Sequence, residues 1–147
     1  MVRDVLRPAR CYAYYAYDDI ASARGKYPTL LSLEELKLIY RILIHLQPES
    51  VAISSGPSHD MLRHIVRMAL PGAVITRKPS AKMAIYEGKE DCVEPKEDGY
   101  AYFTDSSNPA CARLADSMTR GHIYVNTTRA LAVLNPKLPR QEFKVNF

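Results

Sequence analysis

The sequence predicts an α/β fold with a mostly parallel sheet. Two observations carry that reading: apolar stripes of helical period alternate with short β-branched runs, and the loops joining them are short. A third is size, since 147 residues suffice for one domain with a buried core. Hydrophobic residues at 47% and charged residues at 24% are ordinary for a globular chain.

The elements follow in order. Cys11–Tyr17 is rich in Tyr and reads as an extended strand, and Asp18-Asp19 and Gly25–Pro28 read as loop. Ser32 and Glu35 form a capping box, followed at helical spacing by Leu33, Leu36, Ile39, Ile42, Leu43 and Leu46; Pro48 ends that helix. Val51–Ser54 is then a buried parallel strand. The turn Ser55-Gly56-Pro57 leads to a second helix, with Ser58 as N-cap and Met61, Leu62, Ile65, Val66 and Ala69 as its buried stripe. Pro71-Gly72 stops it.

Strands are expected at Ala73–Thr76 and Met83–Tyr86, with an acidic, solvated loop from Glu87 to Asp98. Tyr100–Thr104 is strand-like and ends at Asp105. Asn108-Pro109 starts a third helix, with Cys111, Leu114, Ala115 and Met118 on its apolar face and Gly121 closing it. His122–Asn126 is the next strand. Leu131–Leu134 and Phe143–Phe147 are expected to pair as a terminal antiparallel hairpin. The whole reads as a Rossmann-like three-layer sandwich. Residues 1–32 form a Tyr- and Arg-rich strand and loop packed on an α/β domain of residues 33–147.

Composition limits the function classes. The net charge of +4 lies in residues 1–79, which carry 11 Lys/Arg against 7 Asp/Glu. That mild excess suits an anionic ligand but falls short of a dedicated nucleic-acid binder. Three widely spaced cysteines argue against a disulfide framework and a structural zinc site. The absence of a long apolar run argues against a membrane partner, and a cytoplasmic location is expected.

Parallel sheets bind ligands beyond the carboxyl ends of their strands. This places Ser54–Asp60, Arg77–Ser80, Glu87–Glu90, Asp105–Asn108 and Asn126–Thr128 on one rim. Arg77 and Lys78 suit a phosphate or another anion, with the helix N-terminus at Ser58 as a partner. His59 and Asp60 read as first-turn helix residues.

From Leu46-Gln47-Pro48-Glu49-Ser50 through Val51-Ala52-Ile53-Ser54-Ser55-Gly56-Pro57-Ser58 the chain resembles the opening of class I methyltransferases. It looks most like their small-molecule O-methyltransferase branch. Tyr86–Asp91 is similar to that family's third strand and turn, Gly99–Asp105 to its fourth strand with a terminal aspartate, and Arg120–Asn126 to its glycine-led fifth. The resemblance implies S-adenosylmethionine as cofactor, held by Ser54, Ser55, Gly56, Ser58 and Arg77, with Asp105 as the catalytic residue.

Several positions depart from the family. Ser54 stands where it has an acid, Gly56 is the one glycine left of its turn, and Arg77 replaces the acid that holds the ribose. Asp105 and Asn126 match part of a magnesium set whose second acid is absent, so a metal is not expected. The segment Ser54–Asp60 is also faintly similar to the phosphate loop of ATP pyrophosphatases, without its second glycine. The sequence thus leaves an active methyltransferase, an inactive methyltransferase-fold module that binds a protein or nucleic acid, and an assembly role for the Tyr-rich strand.

Overall fold

The computed structural model describes residues 14–147. They divide into a helical unit, drawn from residues up to 49 and from 57–73, and a sheet unit of residues 50–56 and 74–147. Together they hold four helices and one seven-stranded mixed sheet.

The helical unit contains α1 (Tyr14–Arg24), α2 (Leu33–Leu46) and α3 (His59–Ala69). The strand expected over Cys11–Tyr17 is corrected where it is described: Tyr14–Tyr17 belong to α1, as do Asp18 and Asp19, expected as loop, while Cys11–Ala13 lie outside the described residues. Tyrosine's β propensity gave way to the buried stripe Ala16, Ile20 and Ala23, spaced by four and three. Tyr17 then meets Tyr40 of α2 edge-on, with ring centroids 6.4 Å apart, and its hydroxyl accepts from Arg41 at 3.4 Å.

The serine half of the α2 capping signal is realised, because Ser32 Oγ accepts from the Glu35 amide at 3.1 Å. Leu36, Ile39, Ile42 and Leu43 are fully buried. Gln47 closes α2 in the left-handed region, its amide returning to the Leu43 carbonyl, and Pro48 follows. On α3, the Met61, Leu62, Ile65 and Val66 stripe is equally buried. No helix among the described residues is long and apolar enough to cross a membrane.

The sheet unit runs β1 (Ser50–Ile53), β2 (Val74–Ile75), β3 (Ala81–Tyr86), β4 (Pro95–Phe103), α4 (Pro109–Ser117), β5 (His122–Val125), β6 (Ala130–Val133) and β7 (Gln141–Lys144). Its spatial order is β2-β1-β3-β4-β6-β5-β7. β1 pairs in parallel with β2 and β3, β3 with β4, and β5 with β7. β6 alone runs against its neighbours, lying between β4 and β5.

Two expectations change here. The antiparallel hairpin exists, but β5 and β6 form it across residues 126–129. The tail strand is β7 and pairs in parallel with β5, so 131–134 and 143–147 do not pair with each other. Partner choice is a non-local matter that strand propensity does not encode. The second change is β4, which begins at Pro95 and takes residues 95–98 from the supposed acidic loop.

One face of this sheet packs on α4. Ala84, Tyr86, Ala101, Phe103, Ile123, Ala130, Ala132 and Leu134 alternate inward along their strands and meet Ala110, Cys111, Leu114 and Met118. Tyr86 and Phe103 stack there at 4.4 Å. Gly121 enters β5 at φ 101°, and a side-chain carbon there would strike the Val133 carbonyl, so only glycine fits.

Candidate functional site

The site is built where β1 and β2 end. Ile53 closes β1, and Ser54 follows with its amide donating to the Ile85 carbonyl at 3.0 Å. The Ser54 hydroxyl, 1% exposed, accepts from the Glu87 amide at 2.9 Å. It therefore ties the end of β1 to the end of β3, and Ser55 is left exposed beside it.

Gly56 has a specific reason to be glycine. A side-chain carbon there would lie 2.5 Å from Glu87 Oε1 and 3.1 Å from Glu90 Cγ. The missing side chain makes room for a carboxylate of the chain itself, which is buried at 3% exposure.

Ile53, Ser54, Ser55, Thr76, Arg77, Asp91, Cys92 and Val93 line a cleft of about 390 Å³. Three of the five residues expected to bind a cofactor, Ser54, Ser55 and Arg77, thus come together from separate strand ends. Gly56 is the next residue of the same turn. Ser58 belongs to the helical unit: it occupies the cap position of α3 but makes no side-chain cap bond. Its hydroxyl instead accepts from Thr29 Oγ1 at 2.8 Å and from the Leu30 amide at 2.9 Å.

The third wall, Asp91–Val93, escaped the sequence reading because an acidic stretch reads as solvated loop. The apolar pair Cys92-Val93 inside that stretch was the available signal. Asp91 Oδ1 accepts from the Cys92 amide at 2.9 Å and from Arg113 Nη2 at 3.3 Å. Burial pushes the Cys92 thiol up to about 11, and the neighbouring Asp91 charge adds to this against an opposing backbone hydrogen bond at Val93. Burial likewise raises the Tyr86 hydroxyl, with Cys92, Asp91 and Glu94 reinforcing it.

Asp105 stands outside this lining. Its Oδ1 accepts from the Ser107 amide at 2.9 Å and the Ser107 hydroxyl at 2.6 Å. Those two bonds, with Lys89 nearby, hold its carboxyl below the usual carboxylate range. The cap of α4 is Asn108: its Oδ1 accepts from the Ala110 amide at 2.9 Å, while its Nδ2 donates to the Gly88 and Glu90 carbonyls at 2.9 and 2.8 Å. Asn126 spends its amide on its own loop, accepting from Thr128 and Arg129 and donating to the Phe147 main-chain oxygen. Among the described residues, no three His, Cys, Asp or Glu side chains gather as a metal site needs.

A larger cleft, of about 460 Å³, lies at the amino end of β4 against Leu114, Met118 and Leu134. Parallel sheets gather their chemistry at the carboxyl ends of their strands, so the smaller cleft is the stronger candidate. Compared with protein-family models, with curated proteins and with solved structures, the chain matches none.

Proposed function

We propose that this chain is a Rossmann-like, methyltransferase-like domain that binds S-adenosylmethionine in the cleft at the ends of β1 and β2. The observation that carries the reading is the convergence of Ser54, Ser55 and Arg77 on one cleft from two strand ends. Its volume falls within the range of about 300–1,000 Å³ usual for small-molecule sites. The lining suits such a molecule in kind. Ile53 and Val93 offer apolar surface, Ser55 and Thr76 offer hydroxyls, and Asp91 supplies the acceptor that Arg77 cannot. When bound, the cofactor supplies a methyl group activated on a sulfonium.

One observation favours the second reading, a module that binds without transferring. Asp105 is fastened to Ser107, and a carboxylate held below its ordinary range is a weak base. The side-chain amides of Asn108 and Asn126, also expected on that rim, are spent on structure.

Calorimetric titration with S-adenosylmethionine and S-adenosylhomocysteine tests both readings. Micromolar binding that Asp105→Ala leaves unchanged is the expected result. No heat and no thermal shift with either compound removes the cofactor. The chain would then stand as a protein- or nucleic-acid-binding module, with salt-sensitive retention on RNA as the next assay.

A further inference from the structure

We propose that β7 is a self-association edge, along which two copies of this chain pair antiparallel about a two-fold axis at Phe143. This edge lies across the sheet from the candidate cleft, so the pairing does not depend on what that cleft binds.

Among the described residues β7 has one strand neighbour, β5, and Gln141–Lys144 are all exposed. The Gln141 and Val145 amides donate to the Gly121 and Val125 carbonyls at 3.1 and 2.9 Å. Main-chain groups alternate in direction along a strand, so those of Phe143 also face β5 while those of Glu142 and Lys144 face outward. Such an open edge is a template for another strand.

Two features choose the strand it takes. An antiparallel partner must set outward-facing residues against outward-facing residues, because only these can exchange both hydrogen bonds. In a two-fold pair of β7 strands the axis then passes through a residue, not between two. An axis at Glu142 sets that carboxylate against its own copy, and one at Lys144 does the same with the ammonium. An axis at Phe143 instead sets Glu142 against Lys144 of the second copy, and Lys144 against its Glu142. Opposite charges across a strand pair are favourable and like charges unfavourable, so charge selects this register. A lone lysine guards an edge against pairing, but here Glu142 supplies its complement.

The second feature is on the other face. Phe143 is 37% exposed and stacks on Tyr124, with centroids 5.2 Å apart and planes 17° from parallel. His122 meets the same ring edge-on at 5.2 Å. The axis at Phe143 makes the two phenylalanines a non-hydrogen-bonded pair, whose Cα atoms approach to about 4.5 Å. The aromatic row then continues across the axis and the exposed ring is covered. The edge is complementary to itself in main-chain direction, charge and aromatic surface at one register.

The test is sedimentation velocity on the full chain over a range of concentrations, with two single charge reversals. The parent should show a monomer–dimer equilibrium that shifts with concentration. Glu142→Lys and Lys144→Glu each turn both contacts across the axis into like charges, so either variant alone should dissociate on the order of tenfold more readily. Mixed in equal amounts, the two should dimerise as the parent does, because a mixed pair sets opposite charges face to face at both contacts. Both positions are exposed, and melting curves matching the parent confirm that the variants fold.

A parent that stays monomeric into the high micromolar range overturns the pairing. A dimer that neither reversal weakens uses some other surface and overturns it as well. Weakened variants that the mixture does not restore overturn the register at Phe143, and the proposal with it.

Discussion

Replacing Asn108 with alanine removes three side-chain hydrogen bonds at once from a residue that is 2% exposed. Losing the cap oxygen costs about 1 kcal/mol. Losing the amide leaves the Gly88 and Glu90 carbonyls without their donor, at about 1 kcal/mol each where water cannot replace it. Glu90 is exposed and will recover part of its share. The total is therefore about 2–3 kcal/mol, or roughly 6–10 °C in melting temperature for a chain of this length. Urea and thermal unfolding measure it, with two companion variants to separate the contributions. Asn108→Ser keeps a cap oxygen and should recover about 1 kcal/mol of the loss. Asn108→Asp also keeps that oxygen but faces two carbonyls with a carboxylate, so it should be no better than serine. A loss below about 1 kcal/mol for alanine, or full rescue by serine, would refute the idea that Asn108 fastens the 88–90 turn to α4.

Two further outcomes follow from the titrating groups. Asp105 has its pKa depressed in the folded chain, so its contribution to stability is present above the unfolded carboxylate value and is lost as pH falls through the folded one. Melting curves of the parent and Asp105→Asn should therefore differ at neutral pH and converge in acid; a gap that persists there would show that charge is not its source. The Cys92 thiol, pushed up to about 11, should react with iodoacetamide far more slowly at neutral pH than a free cysteine, with its rate still climbing above pH 9. A rate matching a model thiol at pH 7.5 would mean that the side chain is not desolvated.

What the sequence disclosed depended on how local the determinant was. Ser32 before Glu35, and Asn108 before Pro109, are signals spanning a few residues, and both caps form as the spacing implies. The β1 strand and the α3 stripe were equally legible, because burial repeats at the period of the element. Tyr14–Tyr17 misled because local propensity pointed to a strand while the Ala16, Ile20 and Ala23 stripe points to a helix. The partner of β7 was invisible, since nothing in Gln141–Lys144 says which edge it will join.

The candidate site divided along the same line. Ser54, Ser55 and Arg77 were found because they end strands. Asp91, Cys92 and Val93 were missed because their place in the cleft comes from a chain segment that crosses back between β3 and β4. Gly56 was found for a different reason from the one the structure gives. Its close neighbour is Glu87, thirty-one residues away in the chain.

The reversed strand β6 also bears on how fast the molecule assembles. Its hairpin with β5 closes across residues 126–129 alone, and hairpins of that kind form in about 1–10 μs. The β1–β3 pairing must bring Val51 to Met83 through an intervening helix and strand, which loop-closure entropy makes slower. The β5–β6 hairpin is thus expected to form before the β1–β3 pairing. Substitutions at Ile123 or Ala132 should slow folding, whereas equivalent losses at Val51 should mainly speed unfolding.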